Sequence, residues 1–279
     1  MLETAAYVVG SLQRTKNFDL LRLYILAKRL PGHTDGSIRL SFGPVAFNDI
    51  HALKHQYIEI YLERGYEVED LPPNPRILDC GGNIGLSVLW FKQRYPASVI
   101  TVFEPDPSIV LILRRNIRQY QMRDVDVVQA AVDGHEGVSL FLPNHDMGGH
   151  IASEGEISGE PVYTTLRVPT VRLIEYLNEP IDILKLDIEG SEYDVLLDVC
   201  SSGKSSLVRH IICEIHAYYD VQGKLAEVLH ALDNAGFHLT IRSGFSIADM
   251  VGASKIPFPS VTSGRFHMLL YAWRPAVTE

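Results

Sequence analysis

Arg76-Ile77-Leu78-Asp79-Cys80-Gly81-Gly82-Asn83-Ile84-Gly85 is the stretch from which the rest of the chain can be read. A short apolar strand ends on an acid, turns through glycines and runs into an amphipathic helix from Leu86 to Arg94. Gly81 and Gly85 give the backbone the bare, tightly turned path that lets a nucleotide-like ligand lie against a helix start. Asp79 narrows the choice. It would repel a pyrophosphate, but it suits a ligand that is cationic and also carries hydroxyls and an amino group.

Working outward from residue 76, strands and helices alternate. Arg76–Asp79, Ser98–Phe103, Val125–Gln129, Ile181–Leu186 and His210–Ile215 read as short strands rich in β-branched residues. Several are apolar on successive residues, as buried parallel strands are. Between them Leu86–Arg94, Ser108–Tyr120, Thr170–Leu177 and Glu192–Cys200 read as helices. Helix Lys224–Ala235 is followed by strands Phe237–Arg242 and Arg265–Trp273, which should pair antiparallel at one edge because no helical pattern separates them. The expected architecture is α/β, a doubly wound, mostly parallel seven-stranded sheet of Rossmann-like type.

Residues 1–71 do not follow this alternation. Leu20–Leu30 reads as a helix stopped by Pro31-Gly32, Ser37–Phe42 as a turn with a short strand, and His51–Arg64 as a second helix. A proline-rich joint, Asp70–Pro75, precedes the sheet. We therefore divide the chain into an N-terminal helical cap on the substrate side (1–71) and a ligand-binding domain (72–279). The stretch from Pro143 to Tyr163 is rich in Gly, Ser, Asn and His and is longer than compact domains usually tolerate without a purpose; it reads as a moving cover over the site.

Ligands of open α/β sheets sit beyond the carboxyl ends of the strands, so the residues there carry the chemistry. Glu104 follows the second strand, about twenty residues past Gly85, the spacing at which an acid accepts hydrogen bonds from ribose hydroxyls. The third strand ends in Gln129-Ala-Ala-Val-Asp133, where small residues could flank an adenine; Asp133 could meet its amino group or serve as a turn acid before Gly134. Together with Asp79 these ends fit S-adenosylmethionine. The fourth strand ends in Lys185-Leu-Asp187-Ile-Glu189-Gly-Ser-Glu192 and the fifth in Cys213-Glu214-Ile-His216. Neighbouring strands lie about 4.8 Å apart, so Asp187, Glu189, Glu214 and His216 can converge. They are candidates for substrate binding, base catalysis or metal coordination, with Asp187, Glu189 and Glu214 as ligands of a divalent cation such as Mg²⁺, or Mn²⁺ if His216 joins them. Lys185 alternates away from this group and could instead cross the strand end as an ion pair.

Composition removes other classes. A net charge of −9 is the opposite of a nucleic-acid reader's basic footprint. No apolar run reaches the ~18 residues of a membrane span, and the N-terminus lacks the basic start of a signal peptide. Cys80, Cys200 and Cys213 have no metal-ligand spacing and read as reduced thiols of a cytoplasmic protein. His51 and His55 have the i, i+4 spacing that can hold zinc but read as a solvated helix face; Arg114, Arg115 and Arg118 read as another. His145 and His150 lie in the long loop, where they could touch substrate.

The sequence resembles the FkbM family of S-adenosylmethionine-dependent methyltransferases. Leu78–Gly85, Phe103–Asp106, Leu184–Glu192 and Ile211–His216 carry the resemblance, in order and at family-like spacing. Cys80-Gly81-Gly82 stands where Val-Gly-Ala is more usual, and residues 1–70 contain no comparable block. The resemblance implies a class I methyltransferase fold and methyl transfer to a hydroxyl of a sugar, glycolipid or secondary metabolite such as a macrolide. It implies cofactor contacts at Asp79, Gly81, Asn83, Gly85 and Glu104, with Asp187, Glu189, Glu214 and His216 lining the acceptor side. His216 or Asp187 would take the hydroxyl proton, or Asp187 would bind an ion that acidifies it.

Two alternatives stay open on sequence alone. An NAD-dependent oxidoreductase is disfavoured because Gly81-x-x-x-Gly85 is not G-x-G-x-x-G and Asp79 precedes it. A non-catalytic binding protein on the same fold is disfavoured by the intact acids at the strand ends. The helical extension could also serve as a homodimer contact.

Overall fold

Apolar residues on both faces of a strand need cover on both sides of a sheet, and this chain supplies it. The computed structural model describes residues 17–143, 149–151, 165–218, 222–243 and 265–274. The N-terminal region contains α1 (Phe18–Ala27), β1 (Gly36–Leu40), β2 (Gly43–Phe47) and α2 (Ile50–Tyr57), which runs on as a π-helix over Ile58–Leu62. Then follow β3 (Arg76–Cys80), α3 (Leu86–Arg94), β4 (Val99–Phe103), α4 (Pro107–Gln119) and β5 (Val125–Val128). Four strands come next: β6 (Ala131–Asp133), β7 (Gly137–Leu142), β8 (His150–Ile151) and β9 (Leu166–Arg172). The last part holds β10 (Ile181–Leu186), α5 (Glu192–Ser201), β11 (Val208–Tyr218), α6 (Gln222–Asn234), β12 (His238–Ser243) and β13 (Arg265–Trp273).

The main sheet has seven strands in the order β12-β13-β11-β10-β3-β4-β5. From β11 to β5 neighbours are parallel, while β13 runs antiparallel to both β11 and β12. The chain winds outward from β3 through β4 to β5 and then returns to lay β10 on the other side of β3. The winding therefore reverses between β3 and β10, and the crevice above their carboxyl ends is the ligand position such sheets provide. Register sets Asp79 directly opposite Lys185 across it.

One face of the sheet is covered by residues of α5 and α6, including Val195, Leu196, Val228 and Leu232. The other is covered by α3 and α4 and by the N-terminal region: Leu20, Phe47, Ile50, Leu53 and Ile60 share one core with Ile77, Ile100 and Ile183. Asn116 of α4 fastens these layers. Its buried side chain accepts from Ala46 N (2.9 Å) and donates to Ala46 O (3.0 Å) and to Ile84 O of the glycine turn (2.8 Å).

Three expectations need correction. The short strand expected within Ser37–Phe42 is β1, but the cap also holds β2, and the two form a hairpin over Gly36–Phe47; Gly43 and Pro44 masked the second strand. Thr170–Leu177 is not an α-helix. Thr170–Arg172 closes β9, whose Val168, Thr170 and Val171 favour a pleated surface, and a 3₁₀ turn over Leu173–Tyr176 follows. Ala131–Asp133 does not extend the third strand; it leaves the main sheet as β6 and pairs with β9 in a second sheet of order β6-β9-β7-β8. Of the long loop, His150 and Ile151 pair with Leu142 and Phe141. Residues 144–148 and 152–164, His145 among them, lie outside the described residues.

Candidate active site

The glycine turn is built into place by its neighbours. Gly81 N and Gly82 N both donate to Phe103 O of β4, at 3.0 and 2.9 Å, so neither amide is left to cradle a phosphate. Gly81 has φ +86°, and a Cβ there would stand 1.8 Å from the backbone oxygen of Asp187, so only glycine fits. A Cβ on Gly85, at φ +88°, would meet Leu113 at 2.6 Å. Asn83 takes φ +46° and its Oδ1 accepts from Ile84 N at 2.7 Å, fixing the corner.

Glu104 closes the turn from the end of β4. Its Oε2 accepts from Asn83 N at 2.9 Å and its Oε1 from Asp106 N at 3.0 Å, while the side chain is almost fully buried. Burial pushes its pKa up to about 7, against the pull of those two amides. It is a fixed acid with unused lone pairs at the rim of the crevice.

Asp79 sits deeper than its sequence position suggested. It has no solvent exposure; Ser87 Oγ donates to its Oδ2 at 2.6 Å and Lys185 Nζ lies 3.2 Å from its Oδ1. Lys185 also donates to Gly81 O at 2.6 Å, lies 3.5 Å from Asp187 Oδ2 and stands 5.7 Å from the centre of the Tyr66 ring. Burial works against its ammonium, but Asp79 and Asp187 outweigh it and hold the pKa above the ordinary lysine range. Lys185 therefore ties the β3 and β10 ends together as an ion pair.

Asp133 lies on β6 with its Oδ1 accepting from Gly134 N at 2.7 Å and its Oδ2 3.0 Å from His135 Nδ1. This is turn-acid geometry.

The residues at the β10 and β11 ends do converge. His216 Nδ1 lies 2.9 Å from Glu192 Oε1, and its Nε2 lies 3.2 Å from Glu189 Oε2 and 3.9 Å from Glu214 Oε1. Glu192 is fully buried at the start of α5 and also accepts from Ile188 N (3.2 Å) and from Gly190 N (2.9 Å). Burial opposes charge on His216, yet Glu192, Glu189 and Glu214 raise its pKa well above 6.5. Glu189 adopts φ +56°, a conformation non-glycine residues avoid at a cost of about 1–3 kcal/mol unless the surroundings enforce it.

Sequence reading missed three contributors. Glu192 was only part of a motif run, not the partner of His216. Glu59 and Tyr66 come from the N-terminal region. Glu59 lies on the π-helix, a form that recurs at functional sites. Its Oε1 is buried without a hydrogen-bond partner among the described residues, and burial together with Glu214 and Asp187 drives its pKa upward. An acid between Ile58 and Ile60 in an apolar run was the available signal. His51 and His55 lie on α2, and among the described residues no third ligand joins them; the three-ligand grouping found there is Asp187, Glu189 and His216. Arg114 is exposed and donates to Val127 O at 3.0 Å.

Residues 79–239, more than half of the chain, match the family model described as the Methyltransferase FkbM domain. The chain belongs to the FkbM methyltransferase family. It is 28% identical over 204 residues to Methyltransferase 1 of Beauveria bassiana, covering 66% of this chain and 80% of that one. It is also 28% identical over 217 residues to the 31-O-demethyl-FK506 methyltransferase FkbM of Streptomyces tacrolimicus, covering 65% and 80%. Among solved structures it is similar to the methyltransferase FkbM of Methylobacillus flagellatus, with a TM-score of 0.50 and 13% identity over 92% of this chain and 60% of that one. This last likeness concerns the fold, a Rossmann-like sheet of class I methyltransferase type. No helix among the described residues is long and apolar enough to cross a membrane.

Proposed function

We propose that the chain transfers the methyl group of S-adenosylmethionine to a hydroxyl oxygen of a small organic acceptor, a polyketide- or macrolide-like metabolite or a sugar. The observation that carries this reading is Glu104, a buried acid anchored by two backbone amides beside a glycine turn whose own amides are occupied. Such a carboxylate can accept from both hydroxyls of a ribose, and the turn offers Gly81 and Gly82 amides to no pyrophosphate. That combination favours an adenosyl sulfonium over NAD, and the family match is to methyltransferases. The oxygen acceptor is favoured by the relative whose name specifies a 31-O position. Three free cysteines suit a reducing cytoplasm.

When bound, the cofactor supplies an electrophilic methyl on sulfur. The protein's task is alignment and proton removal. Asp187, Glu189 and Glu214 line the crevice as partly exposed carboxylates, and their negative charge complements a sulfonium better than the neutralised Asp79 does. As the C–S bond breaks and the C–O bond forms, the hydroxyl proton passes to Asp187 or Glu214, which lie on the acceptor side. His216, held by Glu192 on Nδ1, faces Glu189 with Nε2 and orients it. Incubating the protein with isotopically labelled S-adenosylmethionine and a panel of hydroxylated acceptors tests the reading. A mass gain of one methyl on oxygen is expected; transfer to nitrogen, or binding of NAD with no binding of S-adenosylhomocysteine, contradicts it.

A further inference from the structure

We infer that Asp187, Glu189 and His216 form a binding site for a divalent cation of the Mn²⁺ class at the acceptor end of the crevice. This rests on the proposed reading only in using the same strand ends. A carboxylate oxygen of each acid and a ring nitrogen of His216 all lie within 4.8 Å of one another. Donors on opposite sides of a cation with bonds of about 2.1 Å are about 4.2 Å apart, so sub-ångström shifts close the set.

The surroundings of His216 fit a ligand better than they fit a simple ion pair. Glu192, without solvent exposure and held by the Ile188 and Gly190 amides, engages Nδ1 and thereby turns Nε2 toward Glu189, Glu214 and the crevice. A buried carboxylate on one imidazole nitrogen, with the other facing carboxylates, is the arrangement that orients metal-ligating histidines. Glu189 reaches the group from a left-handed backbone conformation that its sequence alone does not favour.

An independent feature also calls for a cation. Glu59 enters from the π-helix, and its buried Oε1 has no hydrogen-bond partner among the described residues. The charges acting on it include those of Glu214 and Asp187. Four carboxylates (Asp187, Glu189, Glu192 and Glu214) thus crowd one imidazole, with Glu59 near two of them and Lys185 already engaged by Asp79. A divalent ion offsets that imbalance, and one imidazole among carboxylates selects Mn²⁺ over Mg²⁺ or Ca²⁺. So placed, the cation would hold the acceptor oxygen and acidify its hydroxyl, leaving Glu214 to take the proton.

The test is titration of chelator-treated, full-length protein with Mn²⁺, read by calorimetry and by spin-echo modulation from a bound imidazole nitrogen. One ion per chain with nitrogen modulation is expected. Affinity should fall at least tenfold in His216→Ala and in Asp187→Asn, and about tenfold in Glu192→Gln. S-adenosylhomocysteine is titrated into each variant as a separate readout of cofactor binding and folding. If a core variant fails to fold, the partly exposed Glu189→Gln carries the test. No binding at millimolar Mn²⁺, no nitrogen modulation in the wild type, or unchanged affinity in the folded variants overturns the site. Loss of S-adenosylhomocysteine binding by the wild type would overturn the proposed function instead.

Discussion

The two halves of the crevice are built on opposite principles. On the β3–β4 side the charged groups near the turn are paired: Glu104 takes two amides, Asp79 faces Ser87 and Lys185, and Gly81 and Gly82 share Phe103 O. On the β10–β11 side carboxylates crowd one another, Glu189 sits in a left-handed conformation and Glu59 keeps an unpartnered oxygen. A pre-paired site holds one ligand shape with little reorganisation, whereas a charge-crowded one stores binding potential for a cationic or reacting partner. On the proposed function, the difference gives recognition to one side and chemistry to the other.

The largest effect that can break this comparison falls on its hinge. Gly81→Ala would set a Cβ against the Asp187 backbone oxygen at a left-handed φ. We expect a stability loss of about 4 kcal/mol or more in urea unfolding, because backbone stands on both sides of the clash. Lys185→Met comes next, with an expected loss of about 3–5 kcal/mol from stranding Asp79 in the core without its counter-charge. The double variant with Asp79→Asn should recover most of that loss; additive losses would deny that the pair couples the two halves.

Glu214→Gln sharpens the division of labour. It should lower methyl transfer by about 100-fold while changing S-adenosylhomocysteine affinity less than about threefold. Equal losses in both would merge the two sides into one. The smallest effect is a pH dependence of ligand binding. The pKa of Glu104 near 7 means that its carboxyl is protonated in mildly acidic solution. Ribose hydroxyls donate to the anion, so affinity should strengthen about tenfold from pH 6 to pH 8 and level off above that. A flat profile would remove Glu104 from the ribose.

Where backbone geometry demands a particular residue, the chain could be read in advance. Gly81, Gly85 and the acid after β4 were visible because a left-handed turn and a strand-end carboxylate leave few choices. The seven-stranded, mostly parallel sheet followed from alternating patterns and was equally legible. The β6–β9 sheet was not, because its strands are short and Pro169 and Gly137 interrupt their patterns. Two side chains were hard to place for a different reason. Asp79 lies at the strand end, as its spacing predicts, but spacing says nothing of Lys185 one strand over. Glu59 was invisible as a site residue because it is separated by more than a hundred residues from the acids it meets. Its role depends on how the π-helix is turned against the sheet.

The central claim is that Glu104 and the glycine turn hold the adenosyl group of S-adenosylmethionine. Calorimetric titration of S-adenosylhomocysteine into the wild-type protein and into Glu104→Ala tests it most directly. The account predicts one site per chain in the wild type and affinity weakened about 100-fold in the variant, the loss of two charge-assisted hydrogen bonds. Undiminished binding by a folded Glu104→Ala protein would contradict it.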